Sequence, residues 1–198
     1  MSPTNSGLTL VLASTSHYRR ELLERLKLPF KIVSPGVDET PHAGEPPAIT
    51  AGRLALAKAQ AGNARFPHSL IIGSDQVAIC DGVPLDKPGD YAGAVRQLRH
   101  ASGKSVSFIT AIALVNTASG RTQTNLVSTE VRFRTLSDQE IERYLQAEPS
   151  YDCAGSAKAE GLGISLLESI HSSDPTALIG LPLIALCEML RNENVSVP

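Results

Sequence analysis

A short segment between an apolar run, Leu8–Leu12, and a series of helix-spaced leucines brings hydroxyl and guanidinium groups together. Ser14 and Ser16 precede Arg19 and Arg20. Ser16 is a good helix N-cap, because its oxygen can accept a free backbone N–H. A helix N-terminus carries a partial positive charge, so each arginine there costs about 0.3–1 kcal/mol unless an anion is bound. The segment therefore predicts a phosphate site, with a solvated turn carrying surface arginines as the alternative.

Two acidic segments follow apolar runs. Glu39 and its neighbour Asp38 follow the second predicted strand, at the end of the sheet where open α/β folds place their ligands. The alternative is a turn before Pro41. Asp75 lies between two apolar stretches, just after the predicted end of a buried strand at Gly73. Aspartate is poor in strands and is seldom buried without a partner. Asp75 is therefore predicted to bind a metal ion, orient water or accept a proton, with a loop cap as the alternative.

Two lysines could bring an ammonium group to a phosphate. Lys58 interrupts the small apolar face of a predicted helix, and Lys87 precedes Pro88 in a loop. The alternatives are a lysine that extends its head to solvent and a lysine that is simply solvated. A glycine-rich turn, Cys153–Gly163, permits close backbone approach but matches neither common phosphate-loop pattern.

Composition bounds the class of protein. The 198 residues, 42% hydrophobic and 19% charged, predict a soluble globular chain with one domain, or two lobes around one cleft. A net charge of −2 and few aromatic residues argue against nucleic acid or a membrane surface as partner. The three cysteines form no C-x-x-C pair and the five histidines show no ligand spacing, so neither zinc nor disulfides are expected.

The location is expected to be cytoplasmic. The segment Met1–Gly7 lacks the features of a signal peptide, and the longest apolar run, Ala177–Cys187, is too short to span a bilayer. The widely spaced cysteines suit a reducing compartment.

Predicted strands and helices alternate, which indicates α/β architecture. A capping box at Ser137–Glu140 marks a helix start, Asn116–Gly120 reads as a hairpin turn, and Pro41–Pro47 is the candidate for a mobile loop. No separable linker is evident, so residues 1–198 are expected to form a single domain. The predicted strands are Leu8–Leu12, Phe30–Ser34, Leu70–Ile72, Val77–Cys80, Val106–Val115, Leu126–Phe133 and Gly163–Leu167. The predicted helices are His17–Leu26, Ala48–Asn63, Tyr91–His100, Asp138–Gln146 and Leu183–Arg191.

Taken in order from about Leu8 to Arg191, the motifs resemble those of the Maf family of nucleoside triphosphate pyrophosphatases. The resemblance implies an α/β fold similar to the inosine triphosphatases, with an elongated mixed sheet flanked by helices and two lobes around a cleft. The segments that carry it are Leu12-Ala-Ser-x-Ser16-x-x-Arg-Arg20-x-Leu-Leu23, Val37-Asp-Glu39, Leu56-Ala-x-Lys58-Ala59, Gly73-Ser-Asp75, Lys87-Pro88, Ala154-Gly155, Glu160-Gly161 and Gly180-Leu-Pro182.

The same resemblance implies a reaction that splits the α–β phosphate bond of a nucleotide with a divalent cation, Mg²⁺ or Mn²⁺. It assigns Glu39 and Asp75 to the metal, and Asp75 also to the role of proton acceptor. A homodimer is the family's expectation, and a nucleotide-binding regulator of cell division without turnover is the alternative of another class. The residues it assigns to the phosphates are Ser14, Arg19 or Arg20, Lys58 and Lys87.

Three further positions resemble the branch of this family that acts on 7-methyl-GTP. Glu160 offers two acceptors to the N1–H and N2–H edge of the base, and Tyr18, where that branch often has tryptophan, is expected to stack on the cationic ring. By the resemblance, Gln76 lies beside the base. The branch acting on dTTP and UTP has Ser-Pro-Arg-Arg, Ala-Asp-Thr and a glutamine at the corresponding places. Those nucleotides, or another modified nucleotide, are the alternative substrates, and Glu160 could instead only cap a turn.

Overall fold

The computed structural model describes residues 7–197, so residues 1–6 of the segment considered for a signal peptide lie outside it. The described strands are β1 (Thr9–Ala13), β2 (Phe30–Val33), β3 (Ser69–Cys80), β4 (Val83–Leu85), β5 (Ser105–Asn116), β6 (Thr122–Phe133) and β7 (Leu167–Ser172). The described α-helices are α1 (His17–Glu24), α2 (Pro47–Gln60), α3 (Tyr91–Ala101), α4 (Asp138–Ala147) and α5 (Leu183–Asn192).

The seven strands form one mixed sheet in the order β2-β1-β3-β5-β6-β7, with β4 paired to β3. Strand β1 runs parallel to both β2 and β3, whereas the β3–β4 and β6–β7 pairs are antiparallel. Helices flank this sheet. The predicted α/β class is therefore confirmed.

The chain divides into two compact units. The first contains the described residues up to Gln76, Thr110–Val127 and those from Asp174 onward. Its core packs leucines and isoleucines of β1, β3 and β5 against α1 and α5. Side chains such as Leu12, Leu23 and Ile72 are fully buried there, and each contributes about 1.5–3 kcal/mol.

The second unit contains Val77–Ile109 and Ser128–Ser173. Helix α3 packs against α4, and Leu98 and Ile141 are buried. Phe133, on the β6–β7 ladder, is also buried.

The local signals read from the sequence are confirmed where they concern helix starts and a turn. The Ser16 hydroxyl accepts a hydrogen bond from the Arg19 N–H at 3.4 Å, as predicted for an N-cap. Ser137 and Glu140 form the predicted capping box at the start of α4. Asn116 ends β5, and its side-chain oxygen accepts two N–H groups of the following turn into β6.

Several strand predictions were wrong in their bounds, and β6 begins at Thr122 rather than at the predicted Leu126. The separate strands predicted at Leu70–Ile72 and Val77–Cys80 are one strand, β3, because each polar side chain between them has a partner. The strand β4 was not predicted. The strand predicted at Gly163–Leu167 begins only at Leu167, after a 3₁₀ helix over Leu162–Leu166. A Cβ on Gly163 would overlap the backbone of Lys158, so this segment packs on its own preceding turn.

The proline-rich segment is irregular up to Pro46, α2 begins at Pro47, and the mobility of the segment stays a prediction. The Glu45 carboxylate accepts two hydrogen bonds of 2.7 Å from Arg53 and one of 3.0 Å from the Thr50 hydroxyl. These bonds, led by those of Arg53, lower the pKa of Glu45 to about 2. Arg53 also donates to the carbonyl of Thr40 at 3.2 Å, so the chain beside Glu39 is fastened by the same arginine.

In the described part of the chain, no helix is both long and apolar enough to cross a membrane. The three cysteines are free thiols.

Candidate active site

A buried lysine is the centre of a charged cluster in the first unit. The Lys58 Nζ lies 2.7 Å from Asp75 Oδ1 and 3.0 Å from Glu39 Oε1. Lys58 is only 4% exposed and Asp75 only 7%. The lysine that interrupts the apolar face of α2 therefore does not extend to solvent, and instead it neutralises two carboxylates.

Gly73 explains how the helix comes close enough for this contact. A Cβ at Gly73 would overlap the backbone of Ala55 and Ala59, so only glycine lets α2 lie directly on β3. Alternate residues of a strand point to the same face, and Asp75 therefore shares the α2 face with Gly73. The strand thus presents its carboxylate to Lys58 on the overlying helix.

Burial raises the pKa of Asp75 above its usual range, and the nearby Glu39 raises it further. Lys58, through its charge and its hydrogen bond, and Arg19, through its charge, act in the opposite direction. A carboxylate with a raised pKa is a better proton acceptor than one in water. Asp75 therefore has the surroundings of a general base held in place by a cation.

The structure brings one of the two candidate arginines to this cluster. Arg19 Nε donates to the carbonyl of Gly180 at 2.9 Å. Its burial lowers its pKa, while the charges of Asp75 and Glu39 raise it. Arg20 instead is exposed and pairs with Glu24 at 2.9 Å, one helical turn along α1.

The serines before α1 accept hydrogen bonds from the backbone. The Ser14 hydroxyl is buried and accepts the Ser16 N–H at 3.1 Å. Ser16 in turn accepts the Arg19 N–H. A hydroxyl that accepts can also donate its own hydrogen, so the phosphate role of Ser14 stays a prediction.

On the opposite face of β3, the side chains of Ser74 and Gln76 contact residues 177–180, for which the sequence predicted no role. The Ser74 hydroxyl lies 2.8 Å from the Ala111 carbonyl and 2.9 Å from that of Gly180. The Gln76 side-chain nitrogen lies 2.8 Å from the Thr110 hydroxyl and 3.0 Å from each of two further carbonyls, those of Ala177 and Leu178. Three oxygens around one amide group require its NH₂ end there, so this end of Gln76 binds protein atoms. The sequence feature that pointed to residues 177–180 was the Gly180-Leu-Pro182 motif of the family resemblance.

The remaining candidates for base and phosphate recognition are exposed or half-buried. The ring of Tyr18 lies beside that of His17, with centroids 3.8 Å apart. In the second unit, Lys87 is exposed in the loop between β4 and α3, and Glu160 is exposed in a turn. Their predicted roles remain predictions.

Glu39 and Asp75 also form a donor set that fits a hard divalent cation. Both are carboxylates, and both already converge on one positive charge, that of Lys58. Oxygen donors of this kind suit Mg²⁺ or Mn²⁺.

A second group of ligand types, in the second unit, escaped the sequence analysis because its members are far apart in the chain. Ligand atoms of Cys80, Asp81 and His100 lie within 4.8 Å of one another. Sulfur and imidazole donors suit zinc better than magnesium. Asp81 is moreover already paired with Lys104 at 2.8 Å.

The fold and the cluster together define an α/β protein whose first unit holds a buried ammonium group between two carboxylates, with the charge of an arginine acting on both of them. The chain belongs to the Maf-like protein family, whose family model matches residues 9–193.

Close relatives carry one name. The chain is 57% identical to a "7-methyl-GTP pyrophosphatase" of Polaromonas sp. (strain JS666), covering 98% of this chain and 89% of the relative. It is 58% identical to a protein of the same name from Burkholderia pseudomallei (strain 1710b), covering 92% and 86%. A third, from Nitrosospira multiformis, is 54% identical, covering 95% of each chain.

Proposed function

We propose that this chain is a nucleoside triphosphate pyrophosphatase that hydrolyses 7-methyl-GTP to 7-methyl-GMP and pyrophosphate. The observation that carries the proposal is the buried Lys58 ammonium between Asp75 and Glu39. The names of relatives at 54–58% identity over most of both chains support the substrate.

In the proposed reaction Asp75 accepts a proton from the attacking water. The water oxygen forms a bond to the α-phosphorus, the bond from that phosphorus to the oxygen that bridges the α- and β-phosphates breaks, and pyrophosphate leaves with the bridging oxygen and the electron pair. Burial of Asp75 makes its carboxylate a stronger base, and Lys58 orients it through the 2.7 Å contact.

The cations of the site counter the negative charge of the triphosphate. We assign Arg19 and Lys58 to this role from the cluster, and Ser14, Lys87 and Arg20 from the family resemblance alone. When the triphosphate draws the Lys58 ammonium toward itself, Asp75 loses part of its counter-charge and becomes more basic.

We also propose that Glu39 and Asp75 hold Mg²⁺ or Mn²⁺. A bound divalent ion would add charge neutralisation at the phosphates.

For the base, we propose that Glu160 accepts from the N1–H and N2–H edge of 7-methylguanine and that Tyr18 stacks on the cationic ring. Gln76 is assigned beside the base by resemblance, although its NH₂ group binds protein oxygens. Uracil and thymine present carbonyl oxygens that a carboxylate repels, which favours 7-methyl-GTP over UTP and dTTP.

The decisive experiment measures pyrophosphate release from a panel of nucleotides by the purified chain, with Mg²⁺ or Mn²⁺. We expect 7-methyl-GTP to give the highest kcat/KM, and the Asp75→Asn variant to lose turnover. Asp81→Asn is the matched control, because Asp81 also pairs with a lysine, at 2.8 Å, but is exposed. A folded wild-type protein that binds nucleotides and releases no pyrophosphate from any of them would instead support the regulator.

We further propose a cytoplasmic location and a homodimer. Light scattering of the purified chain at several concentrations tests the dimer, and a monomer at all of them would refute it.

A further inference from the structure

The segment of residues 174–182, here called the strap, precedes α5 and is held by hydrogen bonds along its length. The Asp174 carboxylate is buried, lies 2.6 Å from the Thr176 hydroxyl, and accepts the Ile184 N–H in the first turn of α5 at 2.7 Å. The Thr176 hydroxyl lies 2.9 Å from the carbonyl of Leu181. The strap is therefore a fixed element beside the cluster of the first unit.

Gly180 gives the strap its contact with Arg19. Its φ of +121° is one that residues with a side chain rarely adopt, and a Cβ there would lie 3.5 Å from the Arg19 Nε. This conformation directs the Gly180 carbonyl to two donors, the Arg19 Nε–H and the Ser74 hydroxyl, each at 2.9 Å.

Ser74 is the donor that links the strap to the sheet. Its side chain is fully buried, and its hydroxyl oxygen lies 2.9 Å from the Gly180 carbonyl and 2.8 Å from the Ala111 carbonyl of β5, so the two carbonyls share one hydroxyl donor. Gln76, two residues along the same face of β3, holds the earlier strap carbonyls of Ala177 and Leu178. One face of β3 thus carries Asp75, and the other face carries the groups that fix the partner of Arg19.

We propose that Ser74 is a positioning residue, which sets the direction of the Arg19 guanidinium through the Gly180 carbonyl. A bond at Nε fixes the plane of the rigid guanidinium fork and leaves its terminal NH₂ groups for two oxygens of a phosphate group. The inference rests on the proposed function, because the proposed substrate supplies the phosphate that Arg19 would bind.

The first test is a double-mutant cycle between Ser74→Ala and Arg19→Ala, read as kcat/KM for pyrophosphate release. We expect Ser74→Ala to lower kcat/KM by about 10–100-fold in the wild-type background, because misplaced catalytic groups cost up to about that much. In the Arg19→Ala background the same change should cost less than about twofold, since the two residues act as one unit.

Ser69→Ala is the matched control. Ser69 lies on the same strand, is 2% exposed, and its hydroxyl also bonds a backbone carbonyl, that of Pro67 at 3.3 Å, without a link to Arg19. We expect this variant to keep wild-type kcat/KM. An equal loss from Ser74→Ala in both backgrounds would show a purely structural role and overturn the proposal.

A second readout needs no substrate. In protein with ¹⁵N-labelled arginine, the Arg19 Nε–H signal, identified by its loss in Arg19→Lys, should exchange slowly with water. Exchange should become faster in Ser74→Ala and remain slow in Ser69→Ala, and unchanged exchange in Ser74→Ala would overturn the proposal. If Ser74→Ala does not fold, the same exchange is measured in Gly180→Ala. An alanine is strained at a φ of +121° and should displace the carbonyl that Arg19 contacts, so exchange should again become faster.

The two readouts separate this inference from the proposed function. A wild-type protein without pyrophosphatase activity refutes the function, whereas the exchange of the Arg19 Nε–H still decides whether Ser74 positions the guanidinium.

Discussion

Replacing Lys58 with methionine tests whether its ammonium sets the protonation of Asp75. Methionine keeps the length of the side chain and removes the charge. The lost contact is 2.7 Å long, and both partners are almost fully buried. Two unit charges about 4 Å apart interact by about 4 kcal/mol at an effective dielectric constant of about 20. Removing one partner of a buried pair costs about 3–5 kcal/mol, so the Coulomb energy and the known cost of breaking buried pairs give the same size of effect.

The pKa of Asp75 should rise in this variant. Burial already raises it, Lys58 is the main group that opposes the rise, and Glu39 remains to repel the carboxylate. Loss of a neighbouring opposite charge moves a carboxyl pKa by about 1–3 units, or about 1.4–4 kcal/mol. In a plot of kcat/KM for pyrophosphate release against pH, the acid limb should therefore move to higher pH by about 1–3 units. The measurement covers about pH 4 to 9.

Lys104→Met is the matched control for this measurement. Lys104 pairs with Asp81 at 2.8 Å, but its side chain is 39% exposed and it lies in the second unit. Exposed pairs contribute little, so we expect the acid limb of this variant to coincide with that of the wild type.

Stability should show the same shift with a defined sign. Because the pKa of Asp75 is raised on folding, the native state binds more protons than the unfolded state between the unfolded and folded pKa values. The free energy of unfolding therefore falls as pH rises through that window. In Lys58→Met the window should extend to higher pH, as seen in urea melts at several pH values. An unmoved acid limb together with a pH-independent loss of stability would refute the coupling of Lys58 to Asp75.

Three further substitutions test other parts of the site. Asp75→Asn should lower turnover by about 10²–10⁴-fold and keep the fold, because an amide retains the shape but cannot take the proton, and near wild-type pyrophosphate release would remove Asp75 from the mechanism. Gly73→Ala should destabilise the protein by about 1–3 kcal/mol in urea melts, because its Cβ overlaps the backbone of α2, and unchanged stability would contradict that close approach. Glu160→Gln should lower the ratio of kcat/KM for 7-methyl-GTP to that for UTP, because an amide tolerates carbonyl oxygens, and an unchanged ratio would refute the role of Glu160 in base selection.

Features that depend on neighbouring residues could be predicted from the sequence. The N-cap Ser16 and the Ser137–Glu140 capping box satisfy backbone groups within one turn, so their residue types suffice to identify them. The hairpin turn that begins at Asn116 is local in the same sense.

The continuity of β3 could not be predicted in this way. Aspartate disfavours a strand by local preference, and the adjacent serine and glutamine are not among the residues enriched in strands. In the folded chain their partners come from distant positions, with Lys58 on one face and Ala111 and Gly180 on the other. Tertiary contacts therefore outweigh the local preference.

The choice between Arg19 and Arg20 also depends on contacts that the local sequence does not fully determine. Consecutive residues of a helix point about 100° apart, so only one of them can face the carboxylates, and the motif alone does not say which. One readable signal was overlooked, since Glu24 stands four residues after Arg20 and offers it a partner on the helix surface. Arg19 has no such partner at that spacing, and it is the residue that the structure brings to Asp75.

The four residues 73–76 explain why the site forms where local preference and fold disagree. Gly73 admits the helix, and Asp75 on the same face receives the Lys58 that the helix carries. Ser74 and Gln76 on the other face hold the strap, and the strap holds Arg19. Gly73 and Asp75 weaken a strand when considered alone, and each of the four residues makes a contact that an apolar strand residue could not make. Such local conflict, offset by specific tertiary partners, is expected at functional sites, and here it brings a carboxylate and two cations together around one strand.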